Sequence, residues 1–203
     1  GDTVFSRKLS FTITSIGFSK KIIFRNKAKL NDDIYVTGNL GDSYVGLNVL
    51  KKKIRLNKNL ERYFKSKYFL PNLNLKLIKK LSLFANTSID ISDGLIADLE
   101  KLLNKQNFSY KIYLKNIPIS KNLRKLLHLK DINKTSFVSR GDDYQILFTA
   151  KSSKARIISK ISKSLGIKIS KIGKICSYPQ KSQIIDEKNK KIAIKNKGHF
   201  HKF

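Results

Sequence analysis

The run Asp90–Leu95, with the sequence DISDGL, constrains the fold of this 203-residue chain more than any other segment. The three residues after Asn86 are β-prone, and leucines recur at helical spacing after the run. We therefore predict a strand, a tight turn and a helix, with Ser92 or Asp93 as the helix cap. The carboxylates of Asp90 and Asp93 would then lie at a turn whose backbone N–H groups face an anion, which suits Mg²⁺ and phosphate. An ordinary acidic helix N-terminus explains the same run.

Two further acidic turns show a similar pattern. The segment Gly141–Tyr144 (GDDY) stands at the entrance of an apolar strand predicted over 144–149, and a strand predicted over 34–37 runs into a glycine-rich turn that ends at Asp42. Each is also typical of an ordinary turn, in which Asp and Gly are common. The chain has 14 acidic residues against 43 lysines and arginines, and eight of the 14 lie in such turns. This concentration favours binding of a metal or a cationic ligand over a role in solubility.

These motifs, in this order, resemble those of thiamine-monophosphate kinase, of the superfamily that includes aminoimidazole ribonucleotide synthetase. The resemblance covers essentially the whole chain. The matching segments are Gly1-Asp2-Thr3, Arg25-x-x-Ala28, Asp33–Gly38 with Leu40–Asp42, Asp90–Leu95 with Asp98-Leu99, Gly141–Tyr144 with Leu147–Thr149, and the C-terminal Gly198–Phe203.

The fold class follows from two arguments. The mixture of helical and strand patterns along the chain predicts an α/β (α+β) fold, with a mixed sheet and helices on one face. The resemblance implies the C-terminal domain of the aminoimidazole ribonucleotide synthetase-like fold. It also implies that residues 1–25 are the last strand or strands of a truncated N-terminal ATP-binding domain with its connection, and that residues 26–203 are the C-terminal domain. Alternating apolar residues over 9–18, and a short run over 22–25, predict strands in the first part.

The resemblance implies a phosphotransferase. Such an enzyme transfers the γ-phosphoryl group of ATP to thiamine monophosphate in line, with Mg²⁺, and gives thiamine diphosphate. Phosphoryl transfer depends on positioning and electrostatic stabilisation, so no catalytic nucleophile or base is expected from the protein. The resemblance further implies that the full-length enzyme is a homodimer and that an isolated fragment is inactive. By match to the motifs, the metal ligands would be Asp2, Asp90 and Asp93, the ATP contacts Gly1, Asp2, Arg25 and Ser92, and the thiamine contacts Asp142 and Phe200.

Two positions depart from the family pattern. Arg140 replaces the first glycine of a usual Gly-Gly-Glu or Gly-Gly-Asp, and Gln145 stands where a glutamate is usual. Arginine adopts a positive φ only at a cost, so the turn that carries Asp142 is expected to differ from that of the family.

The net charge of +29 does not by itself indicate a nucleic-acid partner. The excess consists of 36 lysines against 7 arginines, spread along the chain, whereas sequence-specific readers favour arginine. Lysine, isoleucine and asparagine share A/T-rich codons, so a biased genome explains the composition. The sequence has no apolar run of membrane-spanning length and no signal-peptide pattern. With one cysteine, these features predict a cytoplasmic protein without a membrane or specific nucleic-acid partner.

Three alternatives remain open at this point. The chain could be another ATP-dependent enzyme of the same superfamily, a non-catalytic domain retained for binding or assembly, or a basic nucleic-acid-binding protein.

Overall fold

The computed structural model of the protein describes residues 13–19, 21–129, 134–193 and 198. Its strands are β1 (Asp33–Thr37), β2 (Thr87–Asp90), β3 (Phe108–Tyr113), β4 (Ile146–Ala150), β5 (Ile169–Ser177), β6 (Gln183–Ile185) and β7 (Lys191–Ile192). Its α-helices are α1 (Asp42–Leu50), α2 (Lys58–Phe69), α3 (Leu75–Leu81), α4 (Leu95–Leu102), α5 (Lys121–Leu129), α6 (Thr135–Val138) and α7 (Ala155–Leu165).

Within the described ranges, the strands form one mixed sheet in the order β2-β4-β1-β5-β3-β6-β7. Neighbouring strands are antiparallel, except β3 and β6, which are parallel. Asp90 at the end of β2 pairs with Ile146 at the start of β4, and β1 runs antiparallel to β4 as well. The ends of β1 and β2 therefore lie beside the start of β4. We call this end of the sheet, with Asp42, Asp90 and Asp142, the acidic end.

Helices pack against both faces of the sheet. Successive residues of a strand point to opposite faces. Ile34 and Val36 of β1 join a large apolar cluster with residues of α1, α2, α4 and α5, whereas Tyr35 joins a smaller cluster with α3 and α7. The predicted mixed α/β fold is confirmed, but the expectation of helices on one face requires correction. Because β1 and β4 carry apolar side chains on both faces, a second layer is needed to bury Tyr35 and Phe148, which stack with their ring centroids 5.2 Å apart.

The first described segment does not form the strands that its alternating pattern predicts. Residues 13–19 and 21–25 have no regular secondary structure, and residues 9–12 lie outside the described residues. Ile13, Ile16 and Phe18 are 89%, 86% and 100% exposed. A strand needs a neighbouring strand to satisfy its backbone groups, and in the described part of the chain this segment pairs with none.

No helix that the structure describes has both the length and the apolar character required to cross a bilayer.

Candidate active site

Backbone hydrogen bonds join the turn before α4 to the loop before β4. The N–H of Asp142 donates to the carbonyl of Ser92 (3.0 Å), and the N–H of Tyr144 donates to the carbonyl of Ile91 (2.9 Å). These bonds continue the pairing of β2 with β4 beyond the ends of both strands. The two acidic motifs that the sequence singled out therefore meet at the acidic end of the sheet.

The close contact between the turn before α4 and the loop before β4 depends on the small size of Gly141. A Cβ atom at this position would lie 1.7 Å from the carbonyl oxygen of Ser92, although the φ of Gly141 is not positive. Asp142 (φ 68°) and Tyr144 (φ 49°) adopt the left-handed backbone conformation instead. Arg140 does not have a positive φ, so its presence in place of a glycine does not strain the turn. Non-glycine residues in this conformation are a backbone feature that occurs more often at functional sites, and here two of them are separated by a single residue.

Asp98 closes the N-terminus of α4. Its buried Oδ2 accepts hydrogen bonds from the backbone N–H groups of Ser92 (3.0 Å), Asp93 (2.9 Å) and Gly94 (3.1 Å). The residue at the helix cap position is Gly94, without a side-chain capping bond. The predicted cap at Ser92 or Asp93 is thus wrong. The expectation that these N–H groups face an external anion is also wrong, because a carboxylate one turn into the helix already binds them.

Lys101 supplies positive charge to the same turn. Its Nζ contacts Oδ2 of Asp93 and lies 3.2 Å from Oδ1 of Asp98. Partial burial alone would lower the pKa of Lys101, but the hydrogen bonds and charges of the two carboxylates raise it above its usual value. Lys101 therefore stays protonated and balances part of the negative charge at the acidic end.

A cavity of about 670 Å³ opens beside the joined loops. It brings together three residues that the motifs predicted, Ser92, Asp93 and Asp142. Arg140 lines the same cavity, and its guanidinium lies 5.7 Å from the ring centre of Tyr44. The cavity lining thus includes both acidic groups and a cation held over an aromatic ring.

The pKa of the Tyr144 phenol is affected by burial and by the charges of the acidic residues. Partial burial raises the pKa of Tyr144, and the negative charges of Asp142, Asp90 and Asp93 raise it further. The negative charge at the acidic end thus opposes ionisation of this phenol. Asp90 is exposed at the end of β2 and does not line the cavity itself.

The remaining predicted residues lie elsewhere or outside the described part of the chain. The carbonyl of Phe24 accepts from the Thr87 hydroxyl (2.7 Å), and the N–H of Asn26 donates to the carbonyl of Leu102 (3.1 Å). Arg25 therefore sits near the start of β2 and the end of α4, away from the acidic end. Its role in ATP binding stays a prediction.

Gly1, Asp2 and Phe200 lie outside the described residues, but Gly198 is described and buried. A Cβ on Gly198 would lie 2.3 Å from that of Ala97 and 2.8 Å from the carbonyl oxygen of Asp93. Gly198 therefore packs on the first turn of α4.

The donor set at the acidic end fits Mg²⁺. This ion prefers hard oxygen ligands, and it is usually held by one or two carboxylates together with substrate phosphates and water. Asp90 and Asp93 supply two such carboxylates. Among the residues that the structure describes, no three acidic, histidine or cysteine side chains cluster closely enough to hold a metal ion by themselves. A bound Mg²⁺ would therefore complete its coordination with water, with a phosphate or with ligands from outside the described residues.

A buried pair of carboxyl groups, Asp42 and Asp143, lies behind the site. Oδ2 of Asp143 accepts from the N–H of Gly41 (2.8 Å), while Asp42 accepts from the hydroxyls of Ser120 (2.7 Å) and Tyr63 (2.8 Å). Burial raises the pKa of Asp143 to about 7, and the charge of Asp42 adds to this effect against the bond from Gly41. Burial also raises the pKa of Asp42, although its hydrogen bonds oppose the shift. The sequence contained both acidic turns but gave no sign that they face each other.

The free energy of unfolding is expected to fall as the pH rises from about 4 to about 7. Asp143 loses its proton near pH 4 in the unfolded chain but only at about 7 in the folded chain, so the folded state binds more protons in between. The expected slope reaches about 1.4 kcal/mol per pH unit. Urea titrations across this range measure it, and Asp143→Asn should flatten the profile. An equal slope in the variant would contradict the assignment to Asp143.

A buried polar network supports the base of the loop. The hydroxyl of Thr37 donates to Oε1 of Gln145 (2.8 Å), and Nδ2 of Asn74 donates to the same oxygen (3.0 Å). A glutamate here would carry its charge among buried groups. Because two donors already satisfy the amide oxygen, the glutamine provides a neutral acceptor at this position.

A larger cavity of about 980 Å³ lies near α5 and the β6–β7 turn, with Arg124, Lys168 and Glu187 in its lining. It contains none of the residues that the motifs predicted. The smaller cavity is therefore the better candidate, because the acidic groups and the close backbone approach converge there.

The mixed sheet and its acidic end define a domain of the aminoimidazole ribonucleotide synthetase-like fold. The hydrogenase maturation protein HypE of Escherichia coli matches it with a TM-score of 0.66 at 15% identity, over 86% of this chain and 53% of that one, which shows the fold alone. The solved structure of AaThiL complexed with AMPPCP and TMP matches with a TM-score of 0.70 at 26% identity, over 88% of this chain and 54% of that one.

Within this fold, the chain is homologous to thiamine-monophosphate kinases. It is 36% identical to the thiamine-monophosphate kinase of Buchnera aphidicola subsp. Acyrthosiphon pisum over 197 residues, which are 95% of this chain and 60% of that relative. The chain thus spans less than two thirds of the length of this relative. No protein-family model matches the chain.

Proposed function

We propose that this chain forms part of a thiamine-monophosphate kinase, which phosphorylates thiamine monophosphate with ATP to give thiamine diphosphate. The observation that carries the proposal is the convergence of Ser92, Asp93 and Asp142 on one cavity. The homology to these kinases supports it, as does the related structure that binds AMPPCP, an analogue of ATP, together with TMP. In the reaction, an oxygen of the acceptor phosphate bonds to the γ-phosphorus of ATP, and the bond to the β–γ bridging oxygen breaks.

The acidic residues serve this reaction by fixing cations. Asp90 and Asp93 would each hold Mg²⁺, which when bound neutralises the negative charge of the phosphates. Ser92 would contact ATP beside them. Asp142 would contact the thiamine moiety, whose thiazolium ring is cationic and suits a carboxylate. The acceptor phosphate is already ionised near neutral pH, so none of these residues needs to act as a general base.

The nearby cations suit the phosphate groups. Lys51 and Lys53 follow the end of α1 and line the cavity together with Arg140. Positive side chains in the same cavity as carboxylates that hold metal ions would reduce the repulsion between a triphosphate and a monophosphate.

Further features of the proposed kinase concern the two ends of the chain and its assembly. Gly1 and Asp2 would lie by the nucleotide phosphates, with Asp2 as a further metal ligand, and Phe200 would stack on thiamine. Arg25 would contact ATP in the assembled enzyme. A division near residue 25, a homodimer and a cytoplasmic location belong to the same proposal. The exposed apolar side chains of residues 13–18 are consistent with further protein packing there.

A non-catalytic binding or assembly domain is the second candidate. The observation that favours it is the contact between Lys101 and Asp93. The lysine binds a carboxylate that the kinase would need as a metal ligand. Both candidates predict the same fold, and they differ in turnover.

A chimera tests the kinase directly. This chain would replace the matching segment of the Buchnera relative, and the product would be assayed for thiamine diphosphate with ATP, thiamine monophosphate and Mg²⁺. We expect turnover, and Asp93→Asn should reduce it at least about tenfold, because a lost metal ligand raises the barrier by more than about 1.4 kcal/mol.

The matched control is Asp186→Asn. Its Oδ1 accepts backbone N–H groups of the β6–β7 turn, a bond that asparagine retains, and the turn lies at the other edge of the sheet. Turnover in the relative but none in a folded chimera would favour the non-catalytic domain. Full activity in the Asp93→Asn variant would reject the metal-binding role.

A further inference from the structure

We propose that Lys101 is an internal counter-ion that holds Asp93 while no metal is bound and yields it to a divalent cation. This inference rests on the proposed function, since it assumes that Asp93 is a metal ligand. Lys101 is then a positioning residue, which the motifs did not indicate, and it affects how tightly the site holds its metal.

The geometry of α4 places Lys101 within reach of the turn. Side chains on a helix lean toward its N-terminus, so a lysine in the last turn covers the turn before it. The Nζ of Lys101 passes over Asp98, from which it lies 3.2 Å, and reaches Asp93. The lysine side chain is 41% exposed, and that of Asp93 is 17% exposed. The contact is therefore open enough to water for the lysine to move.

The carboxylates of Asp98 and Asp93 differ in how readily each can exchange Lys101 for a metal ion. Asp98 is 1% exposed and is bound by three backbone N–H groups as well as by Lys101. Asp93 faces the cavity, and its carboxylate contacts Lys101. When Asp93 turns to a metal ion, Lys101 keeps Asp98 as its partner, so the exchange leaves no buried charge unpaired. Asp98 thus acts as the fixed anchor, and Asp93 as the exchangeable partner.

Lys101 and a divalent cation compete for the carboxylate of Asp93 because both are positively charged. A divalent ion near Asp93 is repelled by the ammonium group, and it must displace that group from the carboxylate. Removing the positive charge should therefore strengthen metal binding. Replacing the lysine with another cationic side chain should leave metal binding nearly unchanged.

The test is direct titration of the 203-residue chain with Mn²⁺ alone, followed by the loss of the free-ion electron paramagnetic resonance signal. We expect Lys101→Met to bind Mn²⁺ about tenfold more tightly than the unmodified chain, the change that a difference of about 1.4 kcal/mol produces. Methionine keeps the length and helix propensity of lysine. Lys101→Arg retains the charge and should stay within about threefold of the unmodified chain.

Two further variants test whether the gain in affinity comes from the pair of Lys101 and Asp93 or from the loss of any positive charge. Lys160→Met removes an exposed lysine from α7, on the opposite face of the sheet, and should leave the affinity unchanged. In the Asp93→Asn background, Lys101→Met should no longer strengthen binding, because the two residues act as a pair.

The outcomes distinguish this inference from the proposed function. Binding that depends on Asp93 but is unaffected by Lys101→Met would overturn the role of Lys101 and leave the metal site intact. A gain that persists in the Asp93→Asn background would likewise overturn it. Binding that is absent from all the variants, or indifferent to Asp93, would overturn both.

Discussion

Gly141→Ala is expected to destabilise the protein by about 3 kcal/mol, near the upper end of the cost of overpacking a buried position. The added methyl group would lie 1.7 Å from the carbonyl oxygen of Ser92 and 2.9 Å from the Cα of Asp93. Both neighbours are backbone atoms, so neither can turn away as a flexible side chain would. To relieve the contact, the loop must separate from the turn and break the bond between Asp142 and Ser92.

The measurement is urea denaturation of the variant beside the unmodified chain. Gly17→Ala makes the same chemical change where no atom lies within 4 Å of the new Cβ, and it should alter the stability little. In the active chimera, Gly141→Ala should also lower turnover, since it moves Asp142. A stable and fully active Gly141→Ala variant would show that the two loops are not held together as described.

Asp98→Asn is expected to cost about 2 to 4 kcal/mol, because it disrupts a buried, charge-assisted network. The carboxylate accepts three backbone N–H groups through one oxygen and binds Lys101 through the other. An amide in its place directs an NH₂ group either toward those N–H groups or toward the ammonium. Both orientations leave donors facing donors in a buried place.

Thermal or urea unfolding measures this loss, and Glu61→Gln provides the control. Glu61 forms a partly exposed pair with Lys65 at 3.5 Å, and such pairs contribute at most about 1 kcal/mol. We also expect Asp98→Asn to weaken Mn²⁺ binding, because the turn that carries Asp93 loses its anchor. Unchanged stability would mean that water or another acceptor satisfies the N–H groups of the turn.

Local patterns in the sequence were enough to predict the elements around the site. Alternating and helical patterns predicted β1, the strand–turn–helix around Gly94, and the apolar strand after Asp143, because such patterns depend on residues that are close in the chain. The sequence also placed the acidic residues in turns, where glycine and aspartate have local conformational reasons to occur. The mixed α/β class followed from the order of these elements.

How these turns face one another depends on contacts between distant parts of the folded chain. Gly41 and Asp143 are 102 residues apart and come together because β1 and β4 are neighbours in the sheet, an order that no local pattern specifies. The same holds for the second helical layer over Tyr35. The pairing of Lys101 with Asp98 could have been predicted from the sequence, because residues three apart on a helix are neighbours. The bonds to the N–H donors near Gly94 could not, because several groups of the turn compete for these donors. Which carboxylate binds those donors depends on burial and distance, and these are properties of the folded chain.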